Sequence, residues 1–366
     1  MYYRNVLTKI IDDEVYIDIG KLYKFNNKYL QFWMDDAISD IKDERFIEIL
    51  KSKKMIKETG LSCKIVRNNL LRKLHIQLND TCMCKCDHCY VGENKNKSIP
   101  YKNVKNIIDQ FIDIGVTAID YSGGEPTLYP DFEKVVSYGK EQGLHQMLFT
   151  NGYIKEELYP VIKKNIDIIQ ISIDGVEKYH NTFRKNNNVY QKAIETLEKM
   201  KETEVVKYVS MSVMHDNVKY IPYVYQLAKK NGAKFRISPP VPVGRYVGKT
   251  NEYYVKLIEQ IVEICNVEGI ELTELVPRKP VCSAIESSIY VDVKQNVYPC
   301  PLLSEKEYNL GNCKEESLER IIRSTSALAI KNRINEISDE RKKYIFFCPA
   351  FLFNMDCKNG FFGEVK

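Results

Sequence analysis

No run of about 18 apolar residues occurs in this 366-residue sequence, so no membrane-spanning helix is expected. The opening stretch, Met1-Tyr-Tyr-Arg-Asn-Val-Leu-Thr-Lys9, lacks the apolar segment of a signal peptide. Internal repeats and low-complexity tracts are missing as well. So is a strong charge of one sign: 54 basic and 49 acidic residues leave +5, too mild to argue for nucleic acid and compatible with an acidic peptide. These absences predict a cytoplasmic protein whose partners include neither a membrane nor nucleic acid. Hydrophobic residues make up 44%, ample for a substantial core. Cysteine is the residue in surplus. In a reducing compartment 11 cysteines point to metal or redox chemistry rather than to disulfides.

Four of those 11 lie within the eight residues Cys82-Met-Cys-Lys-Cys-Asp-His-Cys89. Cys82, Cys86 and Cys89 read as Cys-x3-Cys-x2-Cys, and Cys84 between them reads as a bystander. Thiolates so close together suit a metal or an iron–sulfur cluster. Three ligands are one short of a closed cubane, which leaves an iron with an open position for a substrate or cofactor. A zinc loop or a set of buried thiols is the plainer alternative.

From Leu71 onward, apolar runs alternate with amphipathic stretches. Strands are expected at Leu74–Leu78, Thr117–Tyr121, Gln146–Thr150, Ile168–Ile173, Tyr208–Met214 and Ala233–Ile237, with helices between them. The fold class read from this is α/β, a partial (β/α)6 TIM-type barrel whose site gathers at the carboxyl ends of the strands. The cysteine loop follows the first strand. Later strand ends carry Ser122-Gly-Gly-Glu-Pro126, Thr150-Asn-Gly152, Ser172 with Asp174-Gly175, His215-Asp-Asn217 and Pro239-Pro-Val-Pro-Val-Gly-Arg245. Paired glycines let backbone approach a ligand closely. Taken singly, Asp174 and Asn217 read as turn residues. Before the barrel, Val15–Ile19 and Lys28–Met34 read as strands and Ala37–Ile56 as helical. The expected division is 1–70 as an N-terminal α+β segment, 71–270 as the core and 271–366 as a cysteine-bearing extension.

The order Cys-x3-Cys-x2-Cys with Tyr90 following, Gly-Gly-Glu-Pro, Thr-Asn-Gly and Ser-Ile-Asp-Gly resembles the core of the radical S-adenosylmethionine (radical SAM) enzymes. The resemblance implies that Cys82, Cys86 and Cys89 hold a 4Fe–4S cluster whose open iron binds S-adenosylmethionine. It places Gly123, Gly124 and Glu125 at the methionine amino group, and Ser172 and Arg184 at the methionine carboxylate and ribose. Asn217 and Val243–Arg245 fall near the nucleoside, and Tyr90 joins the cofactor-binding set. Lys185 stands where relatives usually have glycine after the arginine. One-electron cleavage of the sulfonium would give a 5′-deoxyadenosyl radical that abstracts hydrogen, with a low-potential donor such as flavodoxin or ferredoxin supplying the electron.

The C-terminal cysteines resemble the SPASM or shorter twitch extension. Cys282 precedes a strand pair, Ser288–Val293 and Val297–Cys300, that ends in Tyr-Pro-Cys, with Gly311-Asn312 after it. Phe351 and Phe361 stand where the full pattern has cysteine. One auxiliary 4Fe–4S cluster held by Cys282, Cys300, Cys348 and Cys357 is therefore implied, with Cys313 as substitute ligand. Cys63 and Cys265 read as core or surface thiols. The function implied is a maturase that acts on a precursor peptide, with residues 1–70 as a leader-binding module or, alternatively, a cover for the barrel edge. The same chemistry on a protein residue or small molecule, as in sulfatase maturation or alcohol dehydrogenation, is the second reading. A non-catalytic iron–sulfur or metal-binding protein is the third. General acid and base residues are not legible.

Overall fold

A computed structural model of the chain describes residues 3–6, 8–11, 14–18, 22–24, 33, 43–59, 63, 65–67, 71–92, 95–240, 243–246, 251–275, 282 and 284–341. The N-terminal part builds two small sheets. β1 (Tyr3–Arg4) pairs antiparallel with β5 (Ile56–Lys57). β2 (Thr8–Ile11), β3 (Glu14–Asp18), β4 (Leu22–Lys24) and β6 (Ile65–Arg67) form a sheet in the order β4-β3-β2-β6. The strand expected at Val15–Ile19 is β3. The strand expected over Lys28–Met34 lies outside the described residues except for Trp33, which is fully buried and donates its indole N–H to Thr8 Oγ1 at 2.8 Å. The helix expected from Ala37 is described over Glu44–Ser52, where the Asp43 carboxylate caps the Phe46 amide at 3.0 Å. Ile56, at the end of that expectation, is in β5 instead.

The core follows the repeat read from the sequence. β7 (Lys73–Gln77), β8 (Ala118–Ser122), β9 (His145–Thr150), β10 (Ile168–Ser172), β11 (Val206–Ser212) and β12 (Lys234–Ser238) lie side by side in chain order, all parallel. Helices Tyr101–Asp113, Phe132–Glu141, Tyr159–Asn165, Val189–Met200 and Ile221–Lys230 make the crossovers. Each presents an apolar stripe, as Val104, Ile107, Ile108 and Phe111 do on the first. Those stripes cover the outward side chains of the strands, among them Leu74, Ile76, Ile119, Leu148, Ile169, Val209 and Phe235. A helix over Glu177–Arg184 was not read from the sequence, where only its last residues drew notice.

The inner face is polar. Register places Phe149, Gln170, Tyr208 and Lys234 in one row, with Ser172, Ser210 and Arg236 in the row above. These side chains are half-buried or exposed. The lumen is therefore not the packed apolar interior of a closed eight-stranded barrel.

Beyond β12, helices Asn251–Val267 and Leu272–Leu275 lead to β13 (Ser288–Val291), β14 (Asn296–Tyr298) and β15 (Gly311–Asn312). β13 pairs in parallel with β7, Tyr290 opposite His75, so the hairpin extends the core sheet to nine strands. Helices Leu318–Ile322 and Thr325–Arg341 follow.

Candidate metal centre

The cysteine loop leaves the carboxyl end of β7. Cys86 is buried, and Cys82 and Cys89 are half-buried. Cys84 is buried between them: hydrogen bonding with Cys82 and Cys86 pushes its thiol far up and pulls Cys82 down and Cys86 to about 7. Burial raises Cys89. Among the described residues no three His, Cys, Asp or Glu side chains gather around a single ion. A cubane spreads three thiolates over three irons and does not require that they do.

Neighbouring strand ends are fastened to this loop. The Gly124 and Glu125 amides donate to the carbonyls of Asn79 and Thr81 at 2.9 and 2.8 Å. A Cβ on Gly124 would lie 2.3 Å from the Thr81 carbonyl oxygen, and one on Gly123 2.7 Å from that of Asn79. The paired glycines therefore allow close approach to the cysteine loop's own backbone. On the far side Gly244, at φ +63°, approaches Cys89 and Tyr90 as closely. Arg245 donates from its backbone to the Cys89 carbonyl (3.1 Å) and from its guanidinium to the Cys86 and Gly92 carbonyls (3.1 and 2.5 Å).

Glu125 is fully buried. Its Oε1 accepts from Thr127 N, Thr127 Oγ1 and Thr150 Oγ1, and its Oε2 from Asn151 N at 2.9 Å. Burial raises its pKa, and these donors oppose the rise. The carboxylate thus joins the Gly-Gly-Glu-Pro turn to the Thr-Asn-Gly turn.

Asp174 is a buried hub rather than a simple turn residue. It accepts from Arg184 Nε at 2.7 Å and from Ser212 N at 3.0 Å, and His180 lies 3.6 Å away. Burial pushes its carboxyl up, but Arg184, His180 and His88 outweigh that and hold it below the ordinary value. Arg184 is 6% exposed, and its carbonyl accepts from the Lys85 amide in the cysteine loop. Its terminal nitrogens make no hydrogen bond among the described residues. The Asn217 side chain is fully used within the protein, donating to the Asp174 and Ser212 carbonyls and accepting from Met214 N. Ser172 stays half-buried at the end of β10.

Residues 76–228 match the radical SAM superfamily, and residues 282–350 match SPASM, an iron–sulfur cluster-binding domain. The chain carries a radical SAM core with a SPASM extension. AlbA, the antilisterial bacteriocin subtilosin biosynthesis protein of Bacillus subtilis, is 26% identical over 313 residues, 80% of this chain and 68% of that protein. The mycofactocin maturase MftC of Mycolicibacterium smegmatis is 24% identical over 257 residues, 64% of this chain and 66% of that protein. The chain spans about half the length of the AdoMet-dependent heme synthases it also matches. SuiB of Streptococcus suis, in its crystal structure with precursor peptide SuiA, has the same fold: TM-score 0.68 over 96% of this chain and 100% of that chain, at 14% identity.

A radical SAM core uses a 4Fe–4S cluster and S-adenosylmethionine, and the residues present fit both. Three thiols stand on one strand-end loop, Arg184 places a cation beside Cys86, and the Asn151 amide points at the loop's sulfurs. Tyr90, just past the third cysteine, is pushed up to about 12 by burial, and its hydroxyl lies 3.5 Å from Ser122 Oγ. Ser122 also meets His75 Nε2 at 2.7 Å, and burial holds His75 down to about 4.

His88 was not singled out from the sequence. Its ring stacks on Phe183 at 4.7 Å, and its buried Nδ1 has no partner among the described residues. Its place inside the Cys-x2-Cys segment was the only signal available. In the SPASM extension Cys282 and Cys300 are half-buried beside the core and Cys313 is buried. Cys348 and Cys357 lie outside the described residues. Cys63 and Cys265 are core thiols, 6% and 0% exposed.

Proposed function

We propose that this chain is a radical SAM maturase that modifies a ribosomally made precursor peptide at an unactivated C–H bond, forming a crosslink or a similar change. The observation that carries the reading is the likeness to SuiB over 96% of this chain. AlbA and MftC, both named for peptide-product pathways or maturation, support it. When bound, the cluster and S-adenosylmethionine supply one-electron cleavage of a carbon–sulfur bond. Cys82, Cys86 and Cys89 hold the cluster. Arg184, aimed by Asp174, offers its uncommitted nitrogens to the cofactor carboxylate, with Ser172 beside it. Gly123, Gly124 and Glu125 shape the turn under the methionine amino group. Asn217 acts at one remove, by fixing the β10 and β11 ends that face the nucleoside.

Residues 1–70 form the module that grips the leader of the peptide. An extended segment added to an edge of the β4-β3-β2-β6 sheet would gain main-chain hydrogen bonds. At the β12 edge of the core sheet, a cavity of about 440 Å³ includes Tyr208, Lys229, Lys234, Arg236 and Glu274 in its lining, three cations to one carboxylate, with the Arg236 guanidinium 3.7 Å above the Tyr208 ring. That edge suits an acidic peptide residue. A flavodoxin- or ferredoxin-type donor supplies the electron, and Cys282, Cys300, Cys348 and Cys357 hold one auxiliary cluster.

The test is anaerobic reconstitution with a low-potential reductant, with 5′-deoxyadenosine measured with and without peptides encoded beside this chain. Peptide-dependent turnover and a changed peptide mass are expected. Turnover that depends on a small molecule and ignores every peptide would refute the reading.

A further inference from the structure

The Asn151 side chain has a fixed orientation. Its Oδ1 accepts from the Tyr153 amide at 2.8 Å, so Nδ2 is the atom turned toward the cysteine loop. There it lies 3.7 Å from Cys82 Sγ, 3.8 Å from Cys84 Sγ and 3.2 Å from Met83 Sδ. Asn151 is 6% exposed, so water does not compete for that donor.

The turn that carries it is held on three sides. Glu125 Oε2 accepts the Asn151 amide, and Glu125 Oε1 accepts the Thr150 hydroxyl. Thr196 Oγ1 donates to the Gly152 carbonyl at 2.8 Å. Gly152, at φ +88°, sits so close to the helix Val189–Met200 that a Cβ would lie 2.5 Å from Ala193 Cα. An amide fixed this firmly against sulfur is placed to act on the sulfur's charge.

We propose that Asn151 is a positioning residue that sets the reduction potential of the cluster on Cys82, Cys86 and Cys89 by donating to the Cys82 sulfur, with Glu125 holding it in place. A thiolate on iron gains negative charge when the cluster takes up an electron. A hydrogen bond from a fixed donor in a buried site therefore stabilises the reduced form more than the oxidised form. The inference concerns electron entry alone and holds whatever the substrate is.

The test is an EPR-monitored redox titration of the anaerobically reconstituted full chain, following the reduced-cluster signal that S-adenosylmethionine perturbs. With iron content unchanged, Asn151→Ala shifts the reduction equilibrium up to about tenfold toward the oxidised form, about 59 mV lower for one electron. Asn151→Asp, which exchanges the donor for a negative charge, lowers it further. A second measurement uses the unaltered protein: with ¹⁵N in the asparagine side chains, pulsed EPR of the reduced cluster shows a nitrogen coupling that Asn151→Ala removes. Midpoints equal to wild type in both variants overturn the inference and leave Asn151 as a support for Met83. If both variants lose iron, the wild-type coupling decides, and its absence overturns the inference equally.

Discussion

Removing the Asp174 carboxylate tests the hub that aims Arg184. Asp174→Ala takes away the charge-assisted bond from Arg184 Nε at 2.7 Å and the bond from Ser212 N at 3.0 Å. The first contributes about 1.5–3 kcal/mol and the second about 1 kcal/mol. The variant also leaves the Arg184 cation, 6% exposed, without its counter-charge. Together these give a loss of about 3–5 kcal/mol, the range for breaking a buried ion pair, against a total stability of about 5–15 kcal/mol. The assay is anaerobic urea unfolding of the cluster-loaded protein, followed by circular dichroism, for Asp174→Ala, Arg184→Met and the double variant. The double variant should be more stable than Asp174→Ala alone, because the uncompensated charge is gone. Losses that add to within about 0.5 kcal/mol would refute the coupling. S-adenosylmethionine should bind more weakly to Asp174→Ala, since Arg184 loses its anchor.

Gly124→Ala should empty the centre of iron, because its Cβ would meet the Thr81 carbonyl at 2.3 Å; iron per chain after reconstitution is the readout. Cys84→Ala should keep wild-type iron, whereas the triple Cys82, Cys86, Cys89→Ala variant should retain about four irons on the auxiliary cluster. His75 and His180 are held down to about 4 and about 3, chiefly by burial. The unfolded chain takes up these protons first, near pH 6.5. Stability should therefore be full above that pH and fall by about 1.4 kcal/mol per unit for each histidine as acid is added. Urea midpoints at pH 7.5, 6 and 5 check this, and His75→Gln should flatten the decline. Arg236→Glu should weaken turnover on an acidic precursor peptide more than on a neutral one.

The barrel was legible because each strand and crossover helix writes its own local period, and β7 to β12 then pair in chain order. The cysteine loop was legible because its spacing is contained in eight residues. Contacts between distant positions were less so. Asp174 and Asn217 look like ordinary turn residues in one dimension. Only the folded sheet brings Arg184, Ser212 and His180 around the first, and the Asp174 and Ser212 carbonyls to the second. The close approach of the Asn79–Thr81 backbone to Gly123 and Gly124, and of Cys89 and Tyr90 to Gly244, was likewise not readable from the sequence. Nothing local announces that Ser288–Val291 will lie beside Lys73–Gln77.

That last pairing has a consequence for how the chain is made. The cysteine loop emerges from the ribosome beside a strand whose outer neighbour, β13, emerges about 200 residues later, roughly 10–40 s at ordinary elongation rates. Over that interval one flank of β7 is bare while the thiols that follow it are already out. Metal delivery during translation would meet an unfinished wall, and delivery after release a completed one.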